Sequence, residues 1–391
     1  MSASYEVVLL HDGLVEFARE VQGAARDATR EVLSQPNLLG FGSDISTVSP
    51  DSHVVIVYLG SREGSVDSVV REALQEAVDN QFPILPIVRH CEPGTIREKL
   101  PSVIENINAA DWDSRRREAI VTLLGMLGLV EQERKLFLSY RRRESSQVAL
   151  QLHTELVRRR FDVFLDRFAL PPGADFQTRL DEDLGDKAFV VLLESSDLRN
   201  SRWVQHEIAY AHSHRINVLA ITLPGVSDSQ LVSAVDDAFR IRLVHGDVEE
   251  DGRLAPTKLR AILEEIEYKH AQALRRRREQ MLGSLWDQLR MDGCSGVPLK
   301  DWAVLATGTG KRSAVWLVTP RRPVPEDLYA LDVLRGDAAM VVGDARLAGA
   351  LVHDVEHLPE EEQRVLAWIG KLGYLEVNRL MECVLEEEAT A

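Results

Sequence analysis

Residues 134–225 read RKLFLSYRRRESSQVALQLHTELVRRRFDVFLDRFALPPGADFQTRLDEDLGDKAFVVLLESSDLRNSRWVQHEIAYAHSHRINVLAITLPG. Four short runs in this stretch, Leu136–Ser139, Val163–Leu165, Phe189–Leu193 and Val218–Thr222, are nearly all apolar. Such runs suit strands covered on both faces, as in a parallel sheet. Between them Ser146–Arg159, Phe176–Leu184 and Arg202–His212 carry apolar residues at helical spacing. Ile241–Val244 supplies a fifth strand. Strand and helix alternate throughout, which predicts a doubly wound α/β layer structure.

The segment before it has the same grammar. Val7–Leu10, Val54–Leu59 and Phe82–Val88 read as buried strands, and Val15–Leu33, Val66–Val78 and Arg115–Leu127 as helices. Val54 aligns with Phe189 and Glu72 with Glu207 at an offset of 135, and Ile84 with Val218 at 134. A steady, domain-sized offset predicts two similar domains rather than a solenoid.

From Pro256 to Arg290 the chain is charged and helical, followed by a Gly-rich break at Asp292–Gly296. Beyond it Trp302–Ala306 and Ser313–Val318 bracket a turn and predict a β-hairpin. Leu328–Leu334, Pro359–Leu372 and Leu375–Glu388 read as helices and Ala339–Val342 as a strand. Gly308-Thr-Gly310-Lys311 superficially suggests a phosphate loop. That motif needs an earlier glycine where Leu305 stands, and Ser or Thr where Arg312 stands. The expected division is 1–130, 131–268, a helical connector at 269–296, and a C-terminal α+β module at 297–391.

The chain has 391 residues, 45% of them hydrophobic, which is enough for two or three cored domains. The formal charge of −16 argues against a duplex nucleic-acid binder, whose phosphate contacts need a basic face. The arginine runs 115–117, 141–143, 158–160 and 275–278 are expected on solvated helix faces or helix ends. Three separated cysteines, with no CxxC pair, indicate neither a zinc site nor a disulfide framework. The opening Met-Ser-Ala-Ser-Tyr-Glu lacks a basic-then-apolar pattern, and no apolar run reaches membrane-span length. A cytoplasmic protein with no membrane contact is expected.

Three markers in residues 133–265 resemble the Toll/interleukin-1 receptor (TIR) domain family. They are Phe137-Leu138-Ser139-Tyr140-Arg141-Arg142, then Phe161–Asp166 followed by Leu170 and Gly173, then Ser201, Trp203 and Glu207. The resemblance is to the branch that cleaves NAD and includes bacterial defence proteins. It implies two flavodoxin-like TIR-type domains with parallel sheets, followed by the small α+β module. It further implies a catalytic Glu207, with Trp203, Ser201, Tyr140, Arg141, Asp166 and Gly173 around the substrate. NAD would be the substrate, with no cofactor and no metal. Control by self-association is implied, together with a sensor or phage-derived trigger. The first segment departs from this pattern: Leu9-Leu-His-Asp12 replaces the first box and Ser68 replaces the tryptophan. It is expected to be a degenerate copy used for contact or sensing, with Glu72 a surface charge.

The residues agree chemically with that implication. Nicotinamide leaves NAD as a neutral molecule, so cleavage chiefly needs stabilisation of an oxocarbenium-like ribosyl centre. One carboxylate can supply it. Trp203 precedes Glu207 by four residues, so a helix puts both on one face. Asn200 and Ser201 are suitable N-caps, which would turn the helix's positive end towards a diphosphate. Arg141 could pair with phosphate. Two other classes remain open: a non-catalytic TIR adaptor, and a nucleoside-processing ribosyl transferase.

Overall fold

The computed structural model describes residues 3–61, 66–90, 100–105, 107, 109–140, 145–165, 189–196, 198, 202–213, 216–236, 239–300, 302–308, 311–343, 347–353, 358–373 and 375–379. The chain divides into two compact units. One comprises 1–28, 39–127 and 275–391; the other comprises 29–38 and 128–274.

The first unit opens with β1 (Tyr5–Leu10), α1 (Val15–Thr29), β2 (Leu39–Gly42), β3 (His53–Ser61), α2 (Ser68–Asp79), β4 (Ile84–Arg89), β5 (Ala110–Asp111) and α3 (Trp112–Met126). Its five strands are parallel in the order β2-β1-β3-β4-β5. The second unit has β6 (Lys135–Tyr140), α4 (Ser146–Arg158), β7 (Asp162–Leu165), β8 (Phe189–Glu194), α5 (Arg202–Ser213), β9 (Asn217–Thr222) and β10 (Arg240–Arg242). Its parallel order, β7-β6-β8-β9-β10, is the same 2-1-3-4-5 arrangement found in flavodoxin-like folds. The short edge strands β2 and β5 carry little apolar periodicity and escape a sequence reading. The helix expected at Phe176–Leu184 lies outside the described residues.

The duplication is real, but its register is one residue off the sequence alignment. Ile56 pairs with Ile84, and Val190 pairs with Val218, so one offset of 134 superposes both strand pairs. The same offset carries the buried stripe Val70, Leu74 and Ala77 of α2 onto Val204, Ile208 and Ala211 of α5. An alignment at 135 would rotate one helix by about 100° against the other and set core residues against solvent ones. Glu207 therefore corresponds to Ala73, and Glu72 to His206. Glu72 itself is exposed on α2, as expected of a surface charge. Glu72→Ala should leave stability within about 0.5 kcal/mol of wild type, which chemical denaturation can check.

Helix α6 (Pro256–Met291) gives its residues to Leu274 to the second unit and the remainder to the first. Then come β11 (Cys294–Lys300), β12 (Ala303–Gly308), β13 (Lys311–Thr319), α7 (Pro325–Val342), β14 (Ala348–His353), α8 (Glu360–Gly373) and β15 (Leu375–Arg379). They form a mixed sheet in chain order, antiparallel from β11 to β13 and parallel from β13 to β15. One face packs Leu282, Leu285 and Trp286 of α6; the other packs Leu328 and Leu331 of α7 and Leu366 of α8.

Two expectations fail in this region, and one holds in part. The Gly-rich break is a turn at Asp292 and Gly293, the latter at φ 71°, but from Cys294 it is already β11, where Gly296 leaves room for the Trp286 ring that any Cβ would strike. Ala339–Val342 is the last turn of α7, a helix primed by Pro325 in its first turn and ended by Gly343 at φ 76°. Leu375-Glu-Val-Asn-Arg379 is a strand, because its period-two alternation pairs in parallel with β14 rather than forming a helical stripe. No described helix is long and apolar enough to cross a membrane.

His53, the first residue of β3, is buried with Nε2 2.9 Å from the Met126 carbonyl oxygen. Burial is the main reason its pKa falls to about 4. The unfolded chain, with an ordinary histidine, binds the extra proton at higher pH. The stabilisation is thus complete above pH ~6.5 and is lost as pH falls towards 4. We expect this to cost the first unit about 3 kcal/mol across that window. In urea denaturation from pH 7 to 4.5, His53→Gln should show a correspondingly flatter pH dependence than wild type.

Candidate active site

In the second unit the candidate residues that the structure describes lie where β6, β8 and β9 end. In β6, Phe137 and Ser139 share one face, and Leu136, Leu138 and Tyr140 share the other. Phe137 packs with Val190, Leu192, Val204 and Ile208, so its face is the one α5 covers. Ser139 is level with Leu192 in the neighbouring strand.

Helix α5 is anchored by its stripe Val204, Ile208 and Ala211. Next to Ile208, Glu207 turns inward as well and is only 4% exposed. Ser139 Oγ, 2% exposed, donates a hydrogen bond to Glu207 Oε2. The hydroxyl thereby holds the carboxylate in place at the strand ends.

The first unit shows what the fold alone requires at these positions. Val8 pairs with Ile56 as Phe137 pairs with Val190, so Ser139 corresponds to Leu10. Leu10 and Ala73 belong to one apolar cluster. A hydroxyl and a carboxylate therefore occupy places that the same architecture fills with hydrocarbon. Burying polar groups in such places costs about 1–3 kcal/mol or more against apolar packing. The pair is thus a local departure from the apolar pattern that the sister domain keeps.

A second buried carboxylate stands nearby in the sheet. Glu194 closes β8 at 1% exposure. It accepts from Thr222 Oγ1 at 2.6 Å, Val232 N at 3.0 Å and Arg240 Nε at 2.9 Å. It ties the segment after β9 back to the strand ends, and its acceptor capacity is used in that bracing. Both carboxylates accept from a hydroxyl, Glu207 from Ser139 and Glu194 from Thr222, and Glu194 accepts in addition from an arginine and a backbone amide.

The other residues expected at the site fall into three groups. Trp203 sits in the first turn of α5, four residues before Glu207, and only its backbone place is described. Tyr140 is 6% exposed and packs with Val148 and Leu152 on the face opposite Glu207. Strand alternation separates the two: neighbouring residues of β6 point to opposite faces. Ser201, Arg141, Asp166 and Gly173 lie outside the described residues. Ser139 and Glu194 were not singled out from sequence. For Ser139 the signal was present, since it stands two residues after Phe137 in the period-two pattern.

Residues 136–255 match the family described as TIR domain. No curated protein sequence shows significant similarity to the chain. Among solved structures, the TIR domains of the activated Roq1 resistosome directly recognizing the pathogen effector XopQ are 19% identical. That match covers 35% of this chain and 82% of the other at a TM-score of 0.23. Proximal thread matrix protein 1 from the mussel byssus matches in two crystal structures at 10% and 11% identity. Both cover 69% of this chain and 96% of the other, with TM-scores of 0.22 and 0.20. Scores this low do not establish a common overall architecture. The family match, the 2-1-3-4-5 parallel sheet and the markers at Phe137–Tyr140 and Trp203–Glu207 coincide on one segment: residues 136–255 are a TIR domain.

Proposed function

We propose that the TIR domain cleaves the nicotinamide–ribose bond of NAD, with Glu207 as the catalytic carboxylate. The observation that carries this reading is the buried Ser139–Glu207 pair, placed where the sister domain has Leu10 and Ala73. The C-terminal ends of parallel strands are where open α/β sheets take ligands. In this reading the glycosidic C–N bond breaks and its electron pair leaves with nicotinamide, which departs neutral. Glu207 stabilises the cationic ribosyl centre, which water captures to give ADP-ribose and a proton. Capture by a nucleophile of the same molecule would give a cyclic ADP-ribose instead. Trp203, one helical turn before Glu207, would wall the pocket. Ser139 acts as a positioning residue.

The TIR resemblance extends the proposal to a cytoplasmic enzyme of bacterial antiviral or antiplasmid defence. It would be switched on by self-association after a sensor or phage-derived trigger. The test is NAD consumption and nicotinamide release by the purified chain, dilute and concentrated, in wild type and Glu207→Gln. Glu72→Ala serves as the control and should keep wild-type turnover, because Glu72 is a solvent-facing charge outside the site.

A non-catalytic adaptor is the second reading, favoured by the low exposure of Glu207. It expects no NAD loss from the wild type at any concentration, together with self-association that Glu207→Gln leaves intact.

A further inference from the structure

In the first unit a cavity of about 240 Å³ lies where β3 and β4 begin and α2 ends. This is the opposite end of the strands from the edge at which such sheets usually bind ligands. Arg275 and Arg278 of α6 line it, together with Asn80 and Gln81 after α2 and the apolar Phe82 and Leu282. The arginine run 275–278 reads as a solvated helix face in sequence, yet Arg278 is only 8% exposed and Arg275 is half-buried.

Both guanidinium groups are held in position by main-chain carbonyls. Arg275 Nη1 donates to the oxygens of Ser49 at 3.1 Å and Ser52 at 2.9 Å. Arg278 Nη1 donates to the Gln81 oxygen at 3.0 Å. Gln81 has φ 58°, a left-handed conformation that costs a non-glycine residue about 1 kcal/mol or more. Carbonyls orient a guanidinium without cancelling its charge. Arg275 Nε donates to Glu279 at 2.8 Å, which supplies the one carboxylate among the lining residues. His53, also in the wall, is neutral at physiological pH because burial holds its pKa at about 4. Two cations against one anion leave the lining net positive in a chain whose overall charge is −16. Among the described residues, neither Arg275 Nη2 nor the Gln81 side-chain amide donates to a protein group.

We propose that this cavity binds a small phosphorylated ligand, its phosphate held by Arg275 and Arg278 and its attached group lying against Phe82 and Leu282. Guanidinium donors match the spacing of phosphate oxygens, and charge-assisted bonds of this kind are the strongest available to a small polar ligand. Donors already fixed by the backbone lose little freedom on binding. The cavity is many times the space needed for a water, so a phosphate with a substituent fits. The inference is independent of the reading of Glu207.

The test is calorimetric titration of the full chain at low salt with orthophosphate, pyrophosphate and ADP. Wild type should bind at least one of them saturably. Arg278→Gln should weaken that binding at least about ten-fold. Glu279→Gln removes the competing carboxylate from an exposed position, so the fold is retained and binding should tighten about three-fold or more. Loss of binding on Arg278→Gln assigns the ligand to this cavity, since Arg278 lines it. Tighter ADP than pyrophosphate assigns the apolar wall to a nucleoside; the reverse assigns the cavity to inorganic oxyanions. Absence of saturable binding by all three probes would overturn the proposal. So would binding indifferent to both Arg278→Gln and Glu279→Gln, and the arginines would then be caps for the carbonyls they touch.

Discussion

Glu207→Gln should abolish NAD cleavage while the domain stays folded. Glutamine keeps the shape and the bond to Ser139 but carries no charge to set against the ribosyl cation. Removing a group that stabilises transition-state charge costs roughly 10³-fold in kcat. The effect should fall on kcat with KM little changed, because the interaction exists chiefly in the transition state. Ser139→Ala should be milder, roughly ten-fold in kcat, since it releases the carboxylate without removing it. Ser139→Thr, which keeps the hydroxyl, should recover most of that loss. Nicotinamide release measured by chromatography separates the cases. Equal turnover by wild type and Glu207→Gln would show that the site lies elsewhere. A Ser139→Ala variant with wild-type kcat would remove the positioning role while leaving Glu207 in place. The matching positions in the first unit, Leu10 and Ala73, allow the converse check. A Ser139→Leu/Glu207→Ala variant should be inactive but at least as stable as wild type, because it restores the hydrocarbon pair that its sister already packs.

The largest loss of stability is expected at Arg134 and Glu267. These side chains are 0% and 1% exposed and form a bidentate pair, Nη2 to Oε1 at 2.6 Å and Nη1 to Oε2 at 3.0 Å. Arg134 Nε also donates to the Arg159 carbonyl at 3.1 Å, and the guanidinium lies 3.7 Å from the Phe161 ring centre. His270 packs edge-on to the same ring and bonds to the Glu133 carbonyl oxygen. The pair thereby ties the start of β6 to α6 and to the end of α4. Removing one partner leaves a buried charge without its counter-ion, so Arg134→Met or Glu267→Leu alone should cost about 3–5 kcal/mol. The double variant should regain most of it, since apolar replacement of both charges is often neutral. Urea denaturation followed by near-ultraviolet dichroism measures the cycle. Additive single losses in the double variant would show that the two charges do not act as a pair.

Much of this architecture was legible in the chain. The parallel strands are short and apolar on both faces, and a buried strand leaves that trace whatever surrounds it. The long helix from Pro256 and the hairpin at Ala303–Thr319 were equally plain. The C-terminal module was less so: Ala339–Val342 and Leu375–Arg379 are short apolar segments that suit helix or strand, and their partners decided the outcome. The short edge strands β2 and β5 leave almost no periodic signal.

At the site the division is sharper. Residues 134–225 by themselves determined a parallel α/β domain with a glutamate on the helix that follows β8, because local periodicity and spacing contain both. They could not determine which way that glutamate points. Alignment by sequence sets Glu72 opposite Glu207 and gives both domains the carboxylate. Only the strand register shows that Ala73 stands there, since a one-residue slip on a helix turns a side chain from the core to the solvent. The Ser139–Glu207 bond joins residues 68 positions apart, and Arg134–Glu267 joins residues 133 apart. No local pattern encodes such pairs. They exist because the folded sheet and its covering helices bring the groups within hydrogen-bonding distance away from water, where each must find its partner in the protein.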